Sequence, residues 1–290
     1  MRALDRFEPF AVLIYFACVT GCAMFMMHPV LIALSLMGAF ALWFTRNGFG
    51  HMRSHLIYLV LFIVMTLINP LTHHNGVTVL LVINDNPVTL EALIYGAVAS
   101  AMIIGVMYWF RCFSQIMTSD KLLYIFGRLS PRIALVLSMA LRYVPRLSAQ
   151  AKKINGAQKT LGLYREDNVI DAARGGMRVF SILVTWALEN GITTADSMAA
   201  RGYGAGRRSF YAIYHMRKAD IAAIIVSLSL MCALIALRRY AAFTFYPALD
   251  TIGINAGSVA LYGLYALLAF APTLMELGEG LKWHCLRSRI

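Results

Sequence analysis

Six apolar stretches constrain this chain more than anything else in it: residues 10–25, 30–44, 56–68, 89–110, 221–237 and 254–274. A helix that crosses the hydrocarbon core of a bilayer needs about 20 mostly apolar residues, and these runs are of that kind. The chain is 60% hydrophobic and only 14% charged, against roughly 25% charged in an ordinary globular domain. Membrane-spanning helices are therefore expected, about six of them. The third run is short and stops at Asn69-Pro70. The first follows MRALDRFEPF and is closed by no small-residue cleavage site, so it reads as a span and not as a signal peptide.

One apolar piece does not fit a spanning helix. Between residues 71 and 87 lie His73, His74, Gly76, Asn84, Asp85 and Asn86 around the β-branched run at 77–83. Seven residues cannot span as a helix, so this piece is expected to be extended or re-entrant and packed against protein.

Charge is distributed unevenly. Residues 111–218 hold 17 Lys and Arg against 6 Asp and Glu, whereas the rest of the chain holds 9 against 8. Nearly the whole net charge of +12 thus sits in one central segment. In a membrane protein such a segment meets anionic lipid or an acidic protein before it meets nucleic acid. Basic loops also favour the cytoplasmic side. That orientation places both termini, the short basic loop with Arg46 and Arg53, and the central segment in the cytoplasm, and the loop with His73 and His74 outside. Arg238 and Arg239 depart from the rule at a helix end, where they can reach the interface. Three regions follow: spans in 1–110, a cytoplasmic helical region at 111–219, and spans with a basic tail in 220–290.

The central segment reads as two long amphipathic helices. Pro131 suits a helical first turn, and the apolar residues Ile133, Leu137, Leu141, Val144 and Leu147 recur at helical spacing. Pro145 should bend this helix, and Gly162 can end it in a left-handed cap. A second helix is expected from about Val169 to Arg201, with Met177, Phe180, Val184, Leu188 and Met198 in its stripe. Val179, Ile182, Leu183 and Trp186 make its middle apolar almost all round, so that stretch should be buried against helices or lipid. Gly202 can form its cap. At roughly 30 residues each helix is about 45 Å long. Such helices can lie on anionic lipid or reach a partner, and periodicity alone leaves both readings open. The expected fold is all-α, a polytopic membrane protein with these two helices in the cytoplasm.

The stretch from Leu188-Glu189-Asn190 to Ala200-Arg201-Gly202-Tyr203-Gly204 resembles the end of the second coupling helix in T components (the EcfT/CbiQ family) of energy-coupling factor (ECF) ABC-type transporters. Leu141-Arg142-Tyr143-Val144-Pro145-Arg146-Leu147, followed by Ile154 and Ala157-Gln158, resembles the first. Asn69-Pro70-Leu71, Gly76 and Thr89-Leu90-Glu91-Ala92-Leu93 are also similar to this family. The resemblance implies a non-catalytic membrane scaffold without a cofactor. It would join two ABC-type ATPase subunits to a small membrane-embedded S component that binds a vitamin or other micronutrient. It also implies that each coupling helix ends in an Ala-Arg-Gly motif docking on one ATPase. Ala200, Arg201 and Gly202 would dock at one end; Ala157, Lys159, Leu161 and Gly162 at the other. Arg142, Pro145, Arg146, Met198 and Tyr203 would support them. Leu161 stands where the family has arginine, so the charge would come from Lys159 or Arg165, or the contact would be apolar and the two contacts unequal. Ala173-Arg174-Gly175 spells the motif too, but near the start of its helix.

Other chemistries fit less well. Gly202-Tyr203-Gly204-Ala205-Gly206-Arg207-Arg208-Ser209 lacks the spacing of a phosphate-binding loop and follows a helix. His73 and His74 have no Cys or carboxylate cluster beside them, which favours a solvated loop over a metal site. The five cysteines form no CxxC pair, and neither a disulfide framework nor a zinc site is indicated. A self-contained secondary transporter or channel is the alternative. It calls for a midplane polar site in repeated halves, and no repeat is evident; nor are the paired groups of an intramembrane enzyme.

Overall fold

The computed structural model describes residues 3–48, 52–72, 76–83, 86–163, 169–206, 214–247, 249–250 and 255–287, without side-chain detail at 3, 52–54, 83, 86 and 283–287. His73, His74, Asn84, Asp85, Arg165, Arg207, Arg208 and Ser209 lie outside the described residues. Among those described, helices dominate: α1 (Pro9–Phe25), α2 (Pro29–Asn47), α3 (Met52–Thr72), α4 (Leu90–Ile116), α5 (Ser119–Leu129), α6 (Pro131–Thr160), α7 (Val169–Ala200), α8 (Lys218–Ala236) and α9 (Ala256–Arg287). The fold is all-α apart from one hairpin of β1 (Val79–Ile83) and β2 (Asn86–Thr89). The chain forms two compact units, Met1–Leu122 with Tyr214–Ile290, and Leu123–Ile213.

Five described helices are long and apolar enough to cross a membrane: α2, α3 from His55, α4, α8 and α9 to Lys282. The shorter apolar α1 has 17 residues, the lower end of the spanning range of about 17–25. Helix ends differ from the sequence reading. α3 runs through Pro70, α4 continues past Phe110 to Ile116, and α9 passes Pro272 and continues well beyond Leu274.

The core of the first unit is built around α2, which packs on both α4 and α9, while α3 packs on α4 and α1 on α8. Trp43, Trp109, Tyr265, Leu42 and Leu268 are fully enclosed. Gly38 allows α2 to approach α9, since a Cβ there would stand 2.9 Å from Ala269 Cβ. Several polar groups in this core find partners on other helices, which offsets the cost of burying them. Trp109 Nε1 donates to Ser35 Oγ at 3.1 Å, and the Tyr15 hydroxyl donates to the Leu268 carbonyl at 2.6 Å. Asp220 accepts from the Glu8 N–H at 3.1 Å and the Arg217 N–H at 2.8 Å, tying the starts of α1 and α8 together.

Arg46 was expected as a loop charge, yet its side chain is only 3% exposed. It donates to Glu276 Oε1 at 2.7 Å and to Asp5 Oδ1 at 3.0 Å. Lys121 Nζ donates to the Asp5 carbonyl at 3.1 Å. Burial lowers the Lys121 pKa, with Asp5 opposing and Arg46 reinforcing the shift. This cluster links the short 3-10 turn Ala3–Arg6, α2, the first turn of α5 and α9.

The piece at 77–83 is extended, as expected, and pairs antiparallel with β2. It is not packed against protein: Val79, Leu80, Leu81 and Val82 are each more than half exposed. What holds the hairpin is its base. Buried Glu91 accepts from the Thr78 hydroxyl at 2.8 Å and from the Thr78 N–H at 3.2 Å, and Thr89 caps α4 through Ala92 N–H.

Candidate functional site

The second unit carries the residues singled out by sequence. Pro131 opens α6, which runs unbroken through Pro145 to Thr160, and α7 ends at Ala200. The two helices pack on each other. Their contact is polar. The Tyr143 hydroxyl lies 2.9 Å from Thr194 Oγ1, and Thr194 donates its own proton to the Asn190 carbonyl at 2.7 Å. Asn190 Nδ2 in turn donates to the Trp186 carbonyl at 2.8 Å.

Above this contact lies a groove of about 390 Å³ between the helices. Arg142 and Arg146 line it from α6, Thr193 and Ser197 from α7, and Arg201 from just past the end of α7. Among the described residues no acidic one lines it. Three guanidinium groups around one recess repel each other and favour an anionic occupant, and arginine suits carboxylate or phosphate through bidentate bonds. Met139 and Met198 give the groove a small apolar margin.

Both helix ends close in the same way. At α7, Gly202 has φ 78°, its N–H bonds to the Ala199 carbonyl at 3.0 Å, and the Tyr203 N–H bonds to the Met198 carbonyl at 3.0 Å. At α6, Gly162 has φ 65°, its N–H bonds to the Lys159 carbonyl at 3.0 Å, and the Leu163 N–H bonds to the Gln158 carbonyl at 3.2 Å. Each is a Schellman closure around a left-handed glycine. The equivalence aligns Leu161 with Arg201 and Thr160 with Ala200. Ala157 falls opposite Ser197, one turn earlier.

The remaining sequence candidates divide clearly. Pro145 sits inside α6 and leaves it unbroken. Arg174 lies in the first turns of α7, 3.9 Å from Asp171. Val179, Ile182, Leu183 and Trp186 are not buried within the chain. In α6 the one buried residue is Gln158 and in α7 it is Gly175. Sequence reasoning missed the groove as a unit. Arg142, Arg146 and Arg201 are each visible as basic residues on helices, but their convergence depends on how two helices pack. Among the described residues no group of three His, Cys, Asp or Glu could hold a metal ion.

These features define a multi-pass α-helical membrane protein carrying a pair of long amphipathic helices with exposed, glycine-closed ends. The family model for the cobalt transport protein CbiQ matches residues 2–212, and the chain belongs to that family. It is 33% identical over 108 residues to the energy-coupling factor transporter transmembrane protein EcfT 1 of Listeria monocytogenes serotype 1/2a (strain 08-5578), covering 37% of this chain and 41% of that protein. It is 31% identical over 122 residues to the energy-coupling factor transporter transmembrane protein EcfT of Lactobacillus helveticus (strain DPC 4571), covering 41% and 44%. The matched portion is thus less than half the length of each relative.

Proposed function

We propose that this chain is the transmembrane coupling subunit of an ECF transporter in the cell membrane, with both termini, α6 and α7 in the cytoplasm. It joins two ABC-type ATPases to a membrane-embedded S component, and ATP-driven closure of the ATPases moves α6 and α7 so that the S component releases a vitamin or other micronutrient inside. The chain itself performs no chemistry. The observation that carries this reading is the exposure of the second unit. Together α6 and α7 comprise 62 residues, of which two are buried. Helices with so little core of their own need other surfaces to cover them. Their exposed, glycine-closed ends suit docking, and Arg201 suits a carboxylate on the docked surface.

The test is purification of the tagged chain in mild detergent from its native cells, with mass spectrometry of what accompanies it. Two ABC-type ATPases and one or more small, very hydrophobic proteins are expected. A chain that purifies alone and moves a solute in liposomes without ATP would make it a self-contained secondary transporter. Arg201→Glu should weaken ATPase binding by about 2–5 kcal/mol, the range for disrupting a desolvated charge pair at an interface. Assembly unchanged by that substitution would remove Arg201 from the docking contact. Cross-links between α6 or α7 and the S component that stay constant through the ATP cycle would exclude the motion.

A further inference from the structure

We infer that the two helix ends are chemically unequal docking sites, α7 for an acidic partner surface and α6 for an apolar recess that lacks the matching carboxylate. This rests on the reading of α6 and α7 as ATPase-docking helices. It departs from the expectation of paired arginine motifs.

The two ends agree bond for bond in their backbones, as the Schellman closures at Gly162 and Gly202 establish. The residue ahead of each glycine therefore leaves its helix in the same way. At α7 it is Arg201; at α6 it is Leu161, 73% exposed, with Leu163 two residues on at 49% exposed. The surroundings reinforce the difference. Arg201 shares its groove with Arg142 and Arg146, with no acid among the described lining residues. Lys159 does not stand in for the missing arginine. It occupies the position of Ala199, two residues back and roughly 200° away around the helix.

One recess cannot serve both ends equally well. A carboxylate placed to pair with Arg201 would be buried without a partner against Leu161. A recess lined for Leu161 would strand the Arg201 guanidinium. Unpaired buried charge is strongly disfavoured in either case. The two ATPase surfaces therefore differ at this point. The contact at α7 weakens as salt rises, whereas the contact at α6 does not.

Native mass spectrometry of the intact complex, purified through the tagged chain and exposed to rising salt, tests this. One ATPase species should leave first, while the other stays with the chain. Arg201→Leu should release that same species at low salt, with binding about a hundredfold weaker. The double substitution Arg142→Ala with Arg146→Ala should weaken the same species and spare its counterpart. Leu161→Arg should release the counterpart instead. The inference is overturned if two copies of one ATPase polypeptide are bound, or if salt and all the variants deplete both subunits equally. Wild-type chain accompanied by no ATPase at all would remove the docking reading itself, and this inference with it.

Discussion

Glu276→Gln should destabilise the first unit far more than Asp5→Asn, although both residues hold the same guanidinium. Arg46 lies 2.7 Å from Glu276 Oε1 and 3.0 Å from Asp5 Oδ1, so distance barely separates the two contacts. Burial does: the side chain of Glu276 is 6% exposed and that of Asp5 is 40% exposed. Removing one partner of a buried pair leaves an uncompensated charge and costs about 3–5 kcal/mol. Asp5 still reaches Arg46 in Glu276→Gln, which puts the expected cost near the lower end, about 3 kcal/mol. The water-facing Asp5 contact is screened and should be worth less than about 1 kcal/mol. For a chain of this size 1 kcal/mol corresponds to about 2–4 °C in Tm, so roughly 6–12 °C and under 4 °C are expected. Heating in detergent, followed by size-exclusion chromatography of the surviving monodisperse fraction, measures both. Arg46→Met combined with Glu276→Leu should recover most of the loss, because an apolar pair of similar volume replaces a buried ion pair without penalty. An Asp5→Asn loss equal to or larger than that of Glu276→Gln, or a double variant less stable than Glu276→Gln, would refute the assignment.

The same thermal assay reads a second core contact. Ser35→Ala leaves the enclosed Trp109 N–H without its acceptor at 3.1 Å and should cost about 1–3 kcal/mol. At the helix ends, a Cβ on Gly162 or Gly202 would meet nothing within 4 Å, so alanine there costs only the left-handed backbone, about 1–2 kcal/mol. Faster amide exchange at Leu163 and Tyr203 would report it. His28 caps α2 by accepting from the Val30 N–H at 3.3 Å through Nδ1, and its Nε2 lies 3.1 Å from the Tyr262 hydroxyl. Burial lowers its pKa, so the unfolded chain takes up the proton first, near 6.5. His28 therefore holds its full stabilisation above that value and loses it as pH falls below, down to its own lowered pKa. A Tm that drops between pH 8 and pH 5.5 in the wild type, but less in His28→Asn, is the expected result.

Local signals carried the second unit well. Pro131, Gly162 and Gly202 mark helix ends that the structure places within a residue or two of expectation. The extended character of 77–83 followed from its β-branched composition, because backbone preference is local. Its packing was misjudged, because the base that anchors it is one carboxylate, Glu91. α5 went unseen as a separate helix, since charges recurring through the central segment blur the break between Ile116 and Ser119. Arg46 was read as a loop charge because its partner Glu276 is 230 positions away. The overrun of α9 past the expected span has a related cause. Glu276 and Glu279 look like the polar end of a membrane helix, yet they continue it by pairing with Arg46 and Arg6. The arginine groove was illegible for the same reason, since it exists only once α6 and α7 pack.

The two units differ in what keeps them folded. In the first, large side chains are enclosed and several buried polar groups find partners across helices, so its helices are held by the chain itself. In the second, Val136, Val144, Met177, Phe180, Leu188 and Ile192 are all exposed, and only Gln158 and Gly175 are buried within α6 and α7. Polar contacts such as Tyr143 with Thr194 fix how the helices meet but remove little apolar surface from water. Exposed apolar area on this scale is tolerated only when lipid or protein covers it. A pair of helices with a specified crossing and no core of its own can change its surroundings at small internal cost, because few contacts within the pair must break. The proposed coupling role calls for that combination: a rigid geometry at the crossing, where Tyr143, Asn190 and Thr194 are bonded together, and an energy of attachment that would reside in the proposed partners.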